Sequence, residues 1–257
     1  MPGGGPAFPD HFSAVASEYA AHRPDYPRAL FDWLAAAAPA RRCAWDCGTG
    51  SGQAAVGLAR HFERVVATDA SAPQVARARP HRRVAYRAAP AEDSGLPAAS
   101  VDCVTVAQAL HWFDRDGFWS EARRVLVPGG LLAAWCYVSF RVDARVDAVV
   151  GRFYREVVGP FWPPERALVE SGYAAIAFPF EELAAPRFRM LKLWTLPQLA
   201  GYLGTWSAVR GYVSAGGGDP VAALLPELAA AWGDPARARR VTWDLALRAG
   251  RRAPGRP

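Results

Sequence analysis

The sequence predicts an α/β fold: a doubly wound, mainly parallel sheet with helices on both faces and a helical insertion before the last strands. Three observations carry this. Short apolar runs alternate with helix-patterned segments between residues 43 and 138. Those runs are apolar on both faces, as strands sandwiched between two helical layers must be. A glycine-rich turn, Gly48 to Gly52, follows the first run and opens a helix.

The elements follow in order. Residues 1–10 read as a loose tail, and a helix spans Phe12–Ala21. A second helix spans Pro27–Ala37, with proline in its first turn and Leu30, Phe31 and Leu34 on one face. "CAWDC" (43–47) is a buried strand, and Gln53–His61 is the helix after it. "RVVATD" (64–69) is the second strand; Ser71 caps the next helix, with Pro73 in its first turn. "VAYRA" (84–88) and "VDCVTVAQ" (101–108) are the third and fourth strands. "GFWSEARRVL" (117–126) is a helix stopped by a Pro-Gly-Gly turn, and "LLAAWCYV" (131–138) is the fifth strand. After Ser139 the rhythm changes, and residues 141–185 read as helical and loop-rich. "FRMLKLWT" (188–195) is a sixth strand, 195–213 a helix, 216–220 a turn, 221–233 a helix and 239–250 the last strand.

Composition removes several classes. The net charge is +6, yet Lys192 is the only lysine among 30 basic residues, and the arginines are spread along the chain. The densest cluster is the tail, Arg248 to Arg256. This reads as a solvated surface, and no nucleic-acid partner is expected. No run reaches the roughly 18 apolar residues of a membrane span. The start, "MPGGGPAFPD", has neither a basic nor an apolar leader region, so a soluble cytoplasmic protein is expected. Cys43, Cys47, Cys103 and Cys136 sit in or beside apolar runs with no C-x-x-C pair. They read as small buried hydrophobes, and no metal site is expected.

Chemistry concentrates in "AWDCGTGSGQ" (44–53). Gly48, Gly50 and Gly52 let the backbone turn tightly and approach a ligand. No lysine follows, which argues against a phosphate loop. The dinucleotide pattern G-x-G-x-x-G is replaced by Asp46-x-Gly48-x-Gly50-x-Gly52. A carboxylate at the strand end repels a pyrophosphate but suits a ligand carrying an ammonium and a sulfonium. S-adenosylmethionine is such a ligand. Its ribose needs a second acid at the end of strand two, and Asp69 stands 23 residues after Asp46.

With these residues in view, the sequence resembles the class I S-adenosylmethionine-dependent methyltransferases of the methyltransferase type 11 group, whose core is Rossmann-like. Within that group it is similar to the trans-aconitate methyltransferase-like enzymes. The resemblance lies in "FSAVASEYAAHRPDYP" (12–27), "WDCGTGSGQAA" (45–55), "VVATDAS" (65–71), "APAEDSGLPAASVDCVTVAQALHWFD" (89–114), "RVLVPGGLLAAW" (124–135) and "GTWSAV" (204–209). It implies that Asp46, Gly48, Gly50 and Gly52 hold the methionine end. It implies that Asp69 takes the ribose hydroxyls and Ala70 lines the adenine. Ala91 and Glu92 fall where relatives contact the adenine edge. Many relatives carry an acid two positions before that glutamate; here it is Pro90, which leaves this contact to the backbone. Gln108 would lie near the sulfonium. Tyr19 and Arg23 sit on the segment that closes over the cofactor, with Arg23 suited to its carboxylate. The implied division is a cover segment at 1–38, a cofactor core at 39–138, a substrate-covering insertion at 139–185 and a completing segment at 186–257.

Methyl transfer from a sulfonium needs position and a dry site, because the leaving group is already activated. The product would be S-adenosylhomocysteine. His111 is the candidate catalytic base or acceptor-binding group, and Trp112 and Tyr137 are candidate walls of an acceptor pocket. A carboxylate acceptor, ionised above about pH 4, needs no base; a phenol or thiol gains from one. Trp135, Phe153, Tyr154, Phe161 and Trp162 add aromatic surface, and Arg141 and Arg152 are candidates to meet an acidic acceptor. The expected partner is a small-molecule methyl acceptor, most simply an acid methylated on oxygen. N- or S-methylation of a small molecule, or methylation of RNA or another nucleic acid, is the alternative. Base-amine methyltransferases usually carry an Asn- or Asp-Pro-Pro-aromatic stretch after strand four, where this chain has "AQALHWF".

Overall fold

The computed structural model describes residues 23–253. Tyr19, the Phe12–Ala21 helix and the last arginine of the tail lie outside the described residues. Helix α1 (Arg28–Ala37) leads into strand β1 (Cys43–Cys47), helix α2 (Gln53–Leu58) and strand β2 (Arg64–Asp69). Helix α3 (Ala72–Ala76), strand β3 (Val84–Ala88), strand β4 (Val101–Ala107), helix α4 (Arg115–Val125) and strand β5 (Leu126–Cys136) follow. β1 to β5 are parallel, in the order β3-β2-β1-β4-β5. Strand order reverses between β1 and β4, and such a reversal opens a crevice at the strands' carboxyl ends.

Alternation along each strand divides the interior. Ala44, Val65, Ala67, Cys103, Leu131 and Ala133 face the core shared with α1 and α2. Trp45, Val66, Val104, Leu132 and Ala134 face the opposite core, with Phe118, Ala122 and Val125 of α4. All four cysteines are buried and unbridged, as expected.

Beyond β5 the chain forms α5 (Ala144–Arg152), continued by a π-helical segment at Phe153–Val157, and then α6 (Arg166–Glu170). The short β6 (Glu181–Glu182) precedes β7 (Phe188–Trp194), α7 (Leu196–Gly204), α8 (Ser207–Ser214), α9 (Pro220–Trp232) and β8 (Arg239–Arg251). α9 packs against α5, α7 and α8 to form a helical cap. β8 bends between two partners: residues 239–245 run antiparallel to β7, and 246–251 run antiparallel to β5. No helix among the described residues is long and apolar enough to cross a membrane.

Several boundaries differ from the sequence reading, four of them with a visible cause or consequence. α2 ends at Leu58, short of His61. The Pro-Gly-Gly turn is a bulge inside β5, where the register with β4 jumps from Val101↔Leu126 to Cys103↔Leu131. The helix expected over 195–213 is two helices. Thr205 Oγ1 bonds back to Tyr202 O at 2.6 Å, and Trp206 leaves the helical region with ψ 136°. β4 stops at Ala107 because Gln108 adopts φ +58°.

Candidate active site

The glycine turn is built from below. The Asp46 side chain is completely buried. Its Oδ2 accepts from Thr49 Oγ1 at 2.6 Å and its Oδ1 from Thr105 Oγ1 at 2.7 Å. Burial pushes this carboxyl up to about 6, against hydrogen bonds from Thr49, Thr105 and the backbone amide of Ala55. The carboxylate therefore ties the turn to β4 and to the first turn of α2. It does not reach the crevice surface, so the picture of Asp46 facing a cationic ligand is replaced by one of Asp46 shaping the loop.

The turn is also held from β2. Thr49 N donates to Thr68 O at 2.9 Å. Asp69 receives Gly50 N at 2.8 Å and Ser71 N at 2.9 Å, so one side chain fixes both the loop and the start of α3. Gly48 adopts φ +68°, and a Cβ there would stand 2.6 Å from the Cβ of Ala109. Gly50 adopts φ +52°, with nothing within 4 Å of the same position. Gly48 is demanded by packing; Gly50 keeps space open.

A cavity of about 450 Å³ lies over this turn. Its lining brings together Arg23, Gly48, Gly50, Asp69, Ala70, Ala91, Glu92, Gln108, Trp112 and Tyr137 from the sequence reading. Asp46 and Gly52 are not on its surface. A Cβ on Gly52 would meet the Tyr86 hydroxyl at 2.3 Å, so that glycine serves the loop's packing. Glu92 Oε1 accepts from Asp114 N at 3.1 Å. The Gln108 amide grips the end of β5, with Oε1 receiving Tyr137 N at 2.8 Å and Nε2 reaching Tyr137 O at 3.3 Å. The sequence reading missed Gln53, Tyr26 and Phe113, which also line the cavity. Gln53 Nε2 is buried there without a hydrogen-bond partner. Its place at the head of the helix after the glycines was the available signal.

A smaller chamber of about 60 Å³ shares Arg23, Gln108, Trp112 and Tyr137 with the first cavity. His111, Trp162 and Arg166 belong to the smaller one alone. Arg23 Nη1 donates to the Tyr137 hydroxyl at 2.8 Å, and its guanidinium lies 5.4 Å from the centre of the Tyr202 ring. Arg166 stacks over Trp162 at 4.4 Å and donates from Nε to Tyr154 Oη at 2.8 Å. His111 Nδ1 lies 3.0 Å from the Tyr173 hydroxyl. Burial, and secondarily the Arg166 charge, pull this imidazole down to about 3, so the ring is neutral at neutral pH.

The arginines singled out earlier are elsewhere. Arg152 pairs with Glu227 on the surface, and Arg141 is exposed and bridged through its backbone to Thr242. Neither lines either cavity. Arg166, not singled out by the sequence, lines the smaller cavity instead. Trp135 and Phe153 are core, whereas Tyr137 and Trp162 are wall.

Comparison with known proteins agrees with this architecture. The model of the methyltransferase domain family matches residues 45–134. A Dictyostelium discoideum protein assigned as a methyltransferase is 34% identical over 225 residues, covering 86% of this chain and 84% of that one. An uncharacterised methyltransferase of Mycobacterium tuberculosis is 41% identical over 123 residues, 47% of this chain and 49% of its own. A solved protein from Anaeromyxobacter dehalogenans, assigned as a type II methyltransferase, is 55% identical with a TM-score of 0.86, covering 91% of this chain and 99% of that one.

Proposed function

This chain belongs to the class I S-adenosylmethionine-dependent methyltransferases, and from that premise we propose that it methylates a carboxylate oxygen of a small acidic molecule. The chain's residues fit the methyl donor. The larger cavity falls in the range of small-molecule sites, roughly 300 to 1,000 Å³. Gly50 leaves open the space a side chain would take, and Gln53 Nε2 is a buried donor awaiting a partner. Asp69 and Ala70 would hold the ribose and adenine side, Ala91 and Glu92 the adenine edge, and Gly48, Gly50 and Arg23 the methionine end. Asp46 acts through the loop it anchors. When bound, S-adenosylmethionine supplies a methyl group on a sulfonium, whose sulfur keeps the bonding pair as the acceptor's lone pair forms the new bond.

One observation carries the acidic acceptor: the smaller chamber joins the larger cavity at Gln108, Trp112 and Tyr137, and Arg23 and Arg166 both line it. With Arg23 given to the methionine end, the Arg166 guanidinium beside aromatic walls suits a planar anion. The similarity to trans-aconitate methyltransferase-like enzymes in "AQALHWFD" and "RPDYP" points the same way. Tyr137 and Trp162 exclude water, and Arg166 orients the carboxylate. No base is required, because such an acceptor is already ionised at neutral pH. The test is a screen of acid, phenol and thiol metabolites with isotope-labelled methyl donor, read by mass spectrometry. Methyl esters are expected. Labelled phenol ethers or thioethers, with no ester, would remove the proposal.

A further inference from the structure

A buried neutral histidine can carry its proton on either nitrogen, and the surroundings of His111 decide which. The Tyr173 hydroxyl beside Nδ1 is fully buried. The backbone N–H groups of Leu110 and His111 act on that same phenol oxygen and favour its negative charge. A hydroxyl has one proton to give and two lone pairs to offer. Nδ1 is the one hydrogen-bond partner that the structure gives this buried hydroxyl among the described residues, so its proton turns toward Nδ1 rather than being left unpaired. Nδ1 then accepts, and the imidazole, whose residue lines the smaller chamber, holds its single proton on Nε2.

The backbone around Tyr173 is held in place to keep this arrangement. Tyr173 adopts φ +65°, in the left-handed region that a bulky residue enters only under constraint. Its N–H donates to Leu168 O at 2.9 Å, and its carbonyl receives Arg248 Nη1 at 3.0 Å. Arg166 on α6 is the charge acting on the ring. Cys136 at the end of β5 and Tyr26 act on the phenol. None of them offers the imidazole a carboxylate that would hold a second proton.

Resting on the acid-methylation reading, we propose that Tyr173 is a positioning residue that locks His111 as an Nε2–H donor, so that His111 orients an acceptor already ionised and takes no proton from it. The lock separates acceptors by their protonation: a carboxylate offers lone pairs to the N–H, whereas a neutral phenol would need a base that the ring cannot be.

The test is long-range nitrogen NMR on protein labelled with ¹⁵N-histidine. The chain has five histidines, and His111→Gln identifies the signal of interest. The wild type is expected to show His111 as the Nε2–H tautomer, unchanged between about pH 8 and about pH 5. Tyr173→Phe is expected to yield a mixture of tautomers while S-adenosylhomocysteine affinity stays within about twofold. If that variant does not fold, the wild-type spectrum decides alone. An Nδ1–H signal, or titration near the ordinary histidine value, overturns the lock. The two readings fail separately. A screen that yields only phenol ethers, with the Nε2–H tautomer still observed, overturns the acidic acceptor and the selection by protonation, and leaves only the Tyr173-fixed tautomer standing.

Discussion

The carboxylate of Asp46 and the hydroxyl of Thr49 meet at 2.6 Å beneath the glycine turn. Thr105 approaches the other oxygen at 2.7 Å, so a fully buried acid joins the loop to β4. The loop that presents Gly50 to the cavity is thus supported by a group that lies off the cavity's surface.

Asp46 and His111 should give opposite pH dependences of stability. The Asp46 carboxyl is raised to about 6 in the fold. The native state therefore holds that proton longer than the unfolded chain does. This contribution is complete below the unfolded value and is lost as pH rises to about 6, at most roughly 3 kcal/mol. The His111 imidazole is lowered to about 3. Its contribution is complete above the unfolded value, near 6.5, and is lost as pH falls toward 3. Urea unfolding of ligand-free protein between pH 4 and 7 should show Asp46→Asn gaining on the wild type as pH rises. His111→Gln should gain as pH falls. Parallel curves for all three proteins would contradict both assignments.

Gly48→Ala and Gly50→Ala should separate folding from binding. At position 48 the new methyl meets Ala109 and the φ is unfavourable, so about 3 kcal/mol of stability should be lost. At position 50 the methyl enters open space, and only about 1 kcal/mol should go to the left-handed backbone. Its cost should instead appear as weakened S-adenosylhomocysteine binding. Calorimetric melting and titration of the two variants distinguish these outcomes.

Asp69→Ala should weaken S-adenosylhomocysteine binding by at least tenfold. The variant frees the amides of Gly50 and Ser71 as well as removing the acceptor proposed for the ribose. Asp69→Asn, which keeps one acceptor oxygen, should fall in between. Unchanged affinity in Asp69→Ala would dismiss that residue from the cofactor site.

Arg166→Gln should raise KM for an acidic acceptor by about tenfold and leave S-adenosylhomocysteine affinity unaltered, because Arg166 lines only the smaller chamber. Arg152→Gln, on the outer surface, is the control that should change neither. Steady-state kinetics on an ester-forming substrate checks the pair.

Much of the parallel core was legible because strands buried on both faces read as short continuous apolar runs set between helix-patterned segments. Asp69 and Gly50 came from spacing and the stretch 89–92 from the family resemblance, and the structure gathers them at one cavity. The direction of the Asp46 side chain was not legible. Spacing fixes where a residue sits on a strand end, whereas the pull of Thr49, Thr105 and Ala55 depends on three separate elements. Arg166 and Tyr173 were missed for a related reason. They come from the helical and loop-rich segment, and only the fold carries them beside a histidine that follows β4. The break at Thr205 and Trp206 escaped notice because neither is a glycine or proline, and apolar periodicity runs on through both.

β8 belongs at once to the sheet beneath the glycine turn and, through β7, to the helical cap. A shearing motion between those halves would have to tear one continuous ladder. Among the described residues, the sheet and the helical cap therefore share one strand as a common spine, and a clamshell opening between those two halves would have to bend it.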